Sequence, residues 1–128
     1  EGDLRKSINI LQSVNNNKSN ISIKKCYKMI GIPSFEKLEY LLDIFLENKQ
    51  SLNSIYTIFK KSIINQGYSL SIYLKQTIKI LIDKKLDNIS DDKLCYILNE
   101  LAKLEENVSK TTFGDIYILA LICIFKKN

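Results

Sequence analysis

The sequence predicts an all-α fold, a helical bundle of about seven helices. Three observations predict it. Apolar residues recur at three- and four-residue spacing along nearly the whole chain, the period of a helix buried on one face. Turn formers are scarce: the 128 residues include one proline and four glycines, too few for a succession of tight hairpins. Most periodic segments open on Ser, Thr or Asp, whose side chains accept from the free N–H groups of a first helical turn.

The first helix is expected from about Asp3 to Val14, with Asp3 as its cap and Leu4, Ile8 and Leu11 as an apolar stripe. The polar stretch Asn15 to Asn20 reads as a surface loop. A short helix follows from about Ser22 to Ile30, with Ile23, Cys26, Tyr27 and Ile30 on its apolar face. Gly31 suits its left-handed end, and Pro33 cannot continue it. Ser34 caps a third helix whose inward face is Phe35, Leu38, Leu41, Leu42, Phe45 and Leu46. Ser51 or Asn53 starts a fourth, packing through Leu52, Ile55, Tyr56, Phe59 and Ile63 and ending at Gly67. Ser69 opens a fifth helix to about Leu86, with Leu70, Tyr73, Leu74, Ile78, Leu81 and Ile82 inward. Ser90 followed by Asp91 and Asp92 is a strong start signal for a sixth, which packs through Leu94, Ile97, Leu98, Leu101, Leu104 and Val108. Thr111 or Thr112 starts the last. Its run Ile116 to Phe125 is apolar on every side and is expected at the centre of the bundle. Periodicity alone also admits a buried strand there, but the helices around it offer no partner strand.

Composition excludes several functions. There is no histidine, which removes the commonest general base and metal ligand. Cys26, Cys95 and Cys123 are far apart and form no C-x-x-C pair, so no zinc site is expected. They read as reduced thiols packed as small apolar side chains. The longest apolar run, ten residues from Ile116 to Phe125, is half of the roughly 20 that span a membrane, so no membrane association is expected. No G-x-x-x-x-G-K-[ST] loop and no acidic metal-binding strand motif occur, so the chain is not expected to be an enzyme. The acid pairs Asp91-Asp92 and Glu105-Glu106 read as a helix start and a solvated face.

The net charge of +5 is uneven: residues 1–33 carry +4, residues 34–50 carry −2, residues 51–86 carry +5 and residues 87–128 carry −2. This is no continuous nucleic-acid stripe. Solvated helix faces explain it most simply. A sharper alternative is that neighbouring subunits mate through opposite-sign faces.

The opening stretch stands out. Arg5 and Lys6 place two cations in a first turn, where the macrodipole favours anions. Free N–H groups, the positive dipole end and a guanidinium together make an anion site. The plain alternative is a solvated arginine tolerating a mismatch of a few tenths of a kcal/mol. Gly2-Asp3-Leu4-Arg5-Lys6 with Ile8 to Ser13 resembles the "G-D-[LM]-R-[RK]-x-[IL]-x-x-L-Q-S" segment of replication factor C small subunits, the AAA+ clamp loaders. Further blocks agree in order. Tyr27 to Pro33 resembles the junction between lid and collar, and Gly67-Tyr68-Ser69 a turn of the collar. Ile89 to Leu104 resembles "[IL]-[ST]-D-K-x-K-x-x-I-x-x-x-L-A-E-[VI]-D". Near the end the family shows "G-A-D-E-x-L-Q-L". This chain keeps the aspartate as Asp115 and replaces the acid beside it with Ile116.

The resemblance implies that residues 1–31 end an AAA+ lid with two helices and that residues 33–128 form a five-helix collar, the oligomerisation domain. Arg5 takes the role of the sensor-2 arginine, which reaches the ATP γ-phosphate only in the full protein. It implies a longer protein, in which ATP and magnesium are bound by parts this sequence does not contain, while this part binds no cofactor or metal. It also implies partners: the other clamp-loader subunits in a heteropentameric ring, and the sliding clamp and primer–template DNA through the full complex, in the nucleus. The isolated piece is further expected to self-associate if a collar face is left bare. Two other readings stand beside this one. One is the same region of another clamp-loader-like AAA+ protein, such as a checkpoint loader. The other is a stand-alone DNA-binding module using Lys75, Lys79, Lys84 and Lys85.

Overall fold

The computed structural model describes residues 2–16, 20–47, 49–83, 89–112 and 114–127. It contains α1 (Leu4–Asn16), α2 (Ile23–Ile30), α3 (Phe35–Glu47), α4 (Leu52–Phe59), α5 (Leu70–Asp83), α6 (Asp91–Lys110) and α7 (Asp115–Lys126). A π-helical segment, Lys60–Ile64, continues α4. No strand occurs among the described residues. The all-α bundle read from the sequence is the fold of the chain.

Local chemistry sets most boundaries. The Asp3 carboxylate accepts from the Lys6 backbone N–H at 3.1 Å and caps α1. Ser22, Ser51 and Ser90 do the same for α2, α4 and α6, accepting from Lys25, Ser54 and Lys93. Gly31 and Gly67 adopt φ of 75° and 83°. At each, two backbone bonds close the helix end: Gly31 and Ile32 donate to Lys28 and Tyr27, and Gly67 and Tyr68 donate to Ile64 and Ile63. Only glycine takes that left-handed position without strain.

Helices α3, α5, α6 and α7 form a ring of neighbours, α3 on α5, α5 on α6, α6 on α7 and α7 back on α3. Helix α4 lies against α3 and α7, and the π segment against α5. The core is threaded by four aromatic rings. Phe125 of α7 stacks on Phe45 of α3 at 5.0 Å. Phe45 meets Phe59 of α4 at 6.0 Å, and Phe59 meets Tyr73 of α5 edge-on at 4.9 Å. Offset and edge-on pairs of this kind are the favoured aromatic geometries. Ile97 and Leu101 of α6 complete the core. Helices α1 and α2 pack mainly on each other, with Tyr27 of α2 lining a pocket that α3 and α5 share.

The structure corrects several expectations. Helix α1 runs on through Asn15 and Asn16, beyond the loop boundary that the polar stretch predicts. On α5 it is Thr77 and Ile80 that are buried, while Ile82 is 65% exposed. The 3.6-residue period rotates Ile82 away from the line of Leu70, Tyr73 and Leu74. The predicted end of that helix, Leu86, lies outside the described residues, as do parts of the loop at 17–19. Helix α7 starts at Asp115 rather than Thr111 or Thr112. Thr111 instead ends α6 in extended backbone, its hydroxyl 2.7 Å from the Tyr117 hydroxyl. Helix α7 is not enclosed on every side, because Ile116, Leu119 and Cys123 face outward. Cys95 and Cys123 are exposed and Cys26 half-buried, so the thiols are not core residues.

Candidate assembly surfaces and the position of Arg5

Arg5 lies in the first turn of α1, fully at the surface. Its guanidinium has no ion-pair partner among the described residues. Among the described residues the acid nearest in sequence is Asp3, whose carboxylate caps the helix. The geometry is that of a cation on a helix start, with nothing anionic opposite it among the described residues.

The stripe behind Arg5 is also open. Leu4 is 73% exposed, and Ile8 and Leu11 are exposed too; only Val14 of α1 is buried. On α2, Ile23 is 76% exposed, with Tyr27, Met29 and Ile30 also at the surface. Leu11, Ile21, Ile23, Cys26, Tyr27 and Ile30 line one shallow apolar groove between the two helices. The sequence spacing correctly put these side chains on one face of each helix. It did not reveal that, Tyr27 aside, the described residues leave most of that face uncovered.

On the bundle, a few polar contacts tie helices together. Lys60 reaches Asp115 Oδ2 at 3.0 Å and the Tyr56 hydroxyl at 3.2 Å, joining the π segment to α7. The hydrogen bond from Lys60, then that from Tyr56, holds the Asp115 carboxyl below its ordinary value, and the same Asp115 contact raises Lys60. This is the environment of the aspartate singled out in the sequence. The replaced neighbour, Ile116, points to solvent and takes no part. Local pattern gave no signal of the Lys60 contact, which spans 55 positions.

Lys75, proposed for DNA binding, pairs with Glu105 at 3.3 Å, and Glu105 also accepts from Ser71 at 2.8 Å. Lys79 is likewise engaged. Lys84 and Lys85 lie outside the described residues. Among the described residues no group of acids and cysteines could hold a metal ion. No described helix is long and apolar enough to cross a membrane. Deep in α5, the Tyr73 and Thr77 hydroxyls are buried with no hydrogen-bond partner. Burial pushes the Tyr73 phenol well above its ordinary value, and the Thr77 hydroxyl beside it offsets only part of this.

These features describe a helical packing unit with apolar faces on α1, α2 and α7 left open among the described residues. The family model "Replication factor C C-terminal domain" matches residues 33–123. That is the bundle from the start of α3 to the third turn of α7. The chain belongs to the replication factor C C-terminal domain family. A curated relative, the probable replication factor C subunit 5 of Dictyostelium discoideum, is 30% identical over 129 residues. The match covers 98% of this chain and 35% of the relative, so the chain spans about a third of that protein's length. It therefore includes α1 and α2, which the family model does not. As a replication factor C C-terminal domain, the bundle is the part of the chain on which the family assignment rests.

Proposed function

We propose that the chain is the assembling C-terminal region of an AAA+ clamp-loader subunit that takes part in loading the sliding clamp onto primed DNA. Residues 33–128 serve as the collar, through which the subunit joins the other clamp-loader subunits in a five-membered ring. Residues 1–31 serve as the end of the lid. The observation that carries this reading is the family match over the bundle. The open apolar groove of α1 and α2 supports the second part, because a lid fragment separated from the rest of its module leaves such a face bare.

Arg5 then acts as the γ-phosphate sensor of the full subunit. ATP and magnesium are bound by portions of the protein that this sequence does not contain. The chain itself binds no nucleotide and has no enzymatic activity. Contact with the clamp and with primer–template DNA is made by the complex, in the nucleus.

Co-expression with the other small clamp-loader subunits of the same organism tests the reading. Residues 33–128 and the whole chain are expected to capture those subunits equally well. Capture that requires residues 1–31, or no capture by either, contradicts the division of roles.

A further inference from the structure

The pair of helices α1 and α2 stands off from the bundle. No α-carbon of either helix lies within 8 Å of one in another described helix. What joins them to it in sequence is short: Gly31, Ile32 and Pro33, between the end of α2 at Ile30 and Ser34 ahead of α3. The first part of this joint belongs to α2. Gly31 donates to the Lys28 carbonyl at 3.2 Å, and Ile32 to the Tyr27 carbonyl at 3.1 Å. Pro33 fixes its own φ and narrows the choice at Ile32. The freedom left lies in the few bonds from Ile32 to Ser34. A small rotation about them swings the 13-residue α1 through a wide arc. Nothing braces the joint at Gly31 itself, where no heavy atom lies within 4 Å of the place a side chain would start.

Beside the joint is a cleft lined by Tyr27, Pro33, Phe35 and Leu38 of α3, and Gln76 and Ile80 of α5. Among the described residues Tyr27 is the member of the α1–α2 pair that lines it. The far wall is firm: Leu38 and Ile80 are buried parts of the core. Tyr27 is 37% exposed, so most of its surface is covered, and it also lines the groove between α1 and α2. It stands one turn before Gly31. Its carbonyl is bonded to the joint and its ring lies at the cleft. An aromatic side chain suits this place, because it is large and has only two torsions to fix.

We propose that Tyr27 is a positioning residue: its ring, set against the α3–α5 cleft, fixes the angle at which the α1–α2 pair stands on the bundle. Whatever binds the open face of α1 and α2 is thereby presented at a set place relative to α3–α7. When the ring leaves the cleft, the pair turns about the bonds from Ile32 to Ser34. Both units stay folded as it does so, because no residue of α1 or α2 belongs to the core cluster around Phe45 and Phe59. The inference concerns this chain alone, and it stands or falls independently of the clamp-loader reading.

The test is pulsed double electron–electron resonance on the intact chain. Spin labels go on Asn9→Cys of α1 and on exposed Cys95 of α6, with Cys26→Ser and Cys123→Ser to remove the other thiols. With Tyr27 in place, one dominant distance is expected. Tyr27→Ala is expected to shift the ratio of seated to turned forms by about tenfold, the worth of partly burying one aromatic side chain, and so to broaden the distribution. Tyr27→Phe, which keeps the ring, is expected to retain the single distance. The urea midpoint of the bundle is expected to stay in place in both variants, which a role in stability alone would not allow. Nuclear Overhauser contacts between the Tyr27 ring and side chains of α3 or α5 are expected in the unsubstituted chain, and they decide alone if Tyr27→Ala unfolds α2. A distribution already broad with Tyr27 in place, or one that Tyr27→Ala leaves unchanged, would overturn the proposal. So would broadening in Tyr27→Phe, a midpoint lowered with the distance unmoved, or the absence of those Overhauser contacts.

Discussion

Phe59→Ala tests how the bundle is held together. Phe59 is fully buried, at 0% exposure, and is the third of four linked rings, touching Phe45 of α3 and Tyr73 of α5. Removing it takes away the transfer energy of a benzyl group and leaves a cavity between three helices. Substitutions of this type cost about 3–5 kcal/mol. The two ring contacts it makes are worth about 0.5–1.5 kcal/mol each beyond area burial, which puts this site at the upper end of that range. A domain of this size has a total stability of about 5–15 kcal/mol, so a third or more of it is at stake. Urea unfolding followed by far-ultraviolet circular dichroism gives the number. The midpoint should fall sharply with little change in slope, which separates lost stability from altered compactness. Ile82→Ala is the matched control. It removes a large apolar side chain that is mostly in water and should cost less than about 0.5 kcal/mol. A loss below about 1 kcal/mol for Phe59→Ala would refute the claim that the aromatic chain joins α3, α4, α5 and α7.

Other consequences follow from single sites. Tyr73→Phe removes a buried hydroxyl that has no partner, so urea unfolding should show no loss and up to about 1 kcal/mol of gain. The folded state holds that phenol above its unfolded value of about 10, so above that pH the unfolded chain loses the proton first and stability falls as pH rises through the alkaline range. An alkaline denaturation series should accordingly flatten above about pH 10 in Tyr73→Phe. Ser90→Ala deletes the cap of the 20-residue α6 and should cost about 1 kcal/mol in the same urea assay. Calorimetric titration of the chain with Mg-ATP should show no micromolar binding, and Arg5→Ala should leave its unfolding midpoint unchanged.

Several features were legible because they depend on local chemistry. Ser22, Ser51 and Ser90 cap the helices their positions announce, and Gly31 and Gly67 close helices in the left-handed region. The inward lines of α3 and α6 largely follow from spacing, with Leu38, Leu41, Leu42 and Phe45, and Ile97, Leu101 and Leu104, all buried, whereas Phe35 at the start of α3 is 50% exposed. What spacing could not give was which apolar face finds a cover. Leu4, Ile8 and Leu11 form the expected stripe, yet it is open to solvent. Ile82 and Ile116 are as apolar as core residues and face water, while Thr77, the less apolar residue, lies inside. Those outcomes are set by how helices pack, which a single-helix pattern does not encode. The same holds for the Lys60 tie to Asp115 and for the π segment that carries Lys60. Arg5 was legible as a cation on a helix start and as part of a family pattern. The sensor role proposed for it depends on a phosphate from outside this chain.

The most direct measurement is native mass spectrometry of the chain co-expressed with the other small clamp-loader subunits from its own organism. The account predicts an assembly that contains one copy of this chain among five subunits and that survives deletion of residues 1–31. Recovery of this chain only alone or paired with itself, with the partner subunits present and folded, would contradict it.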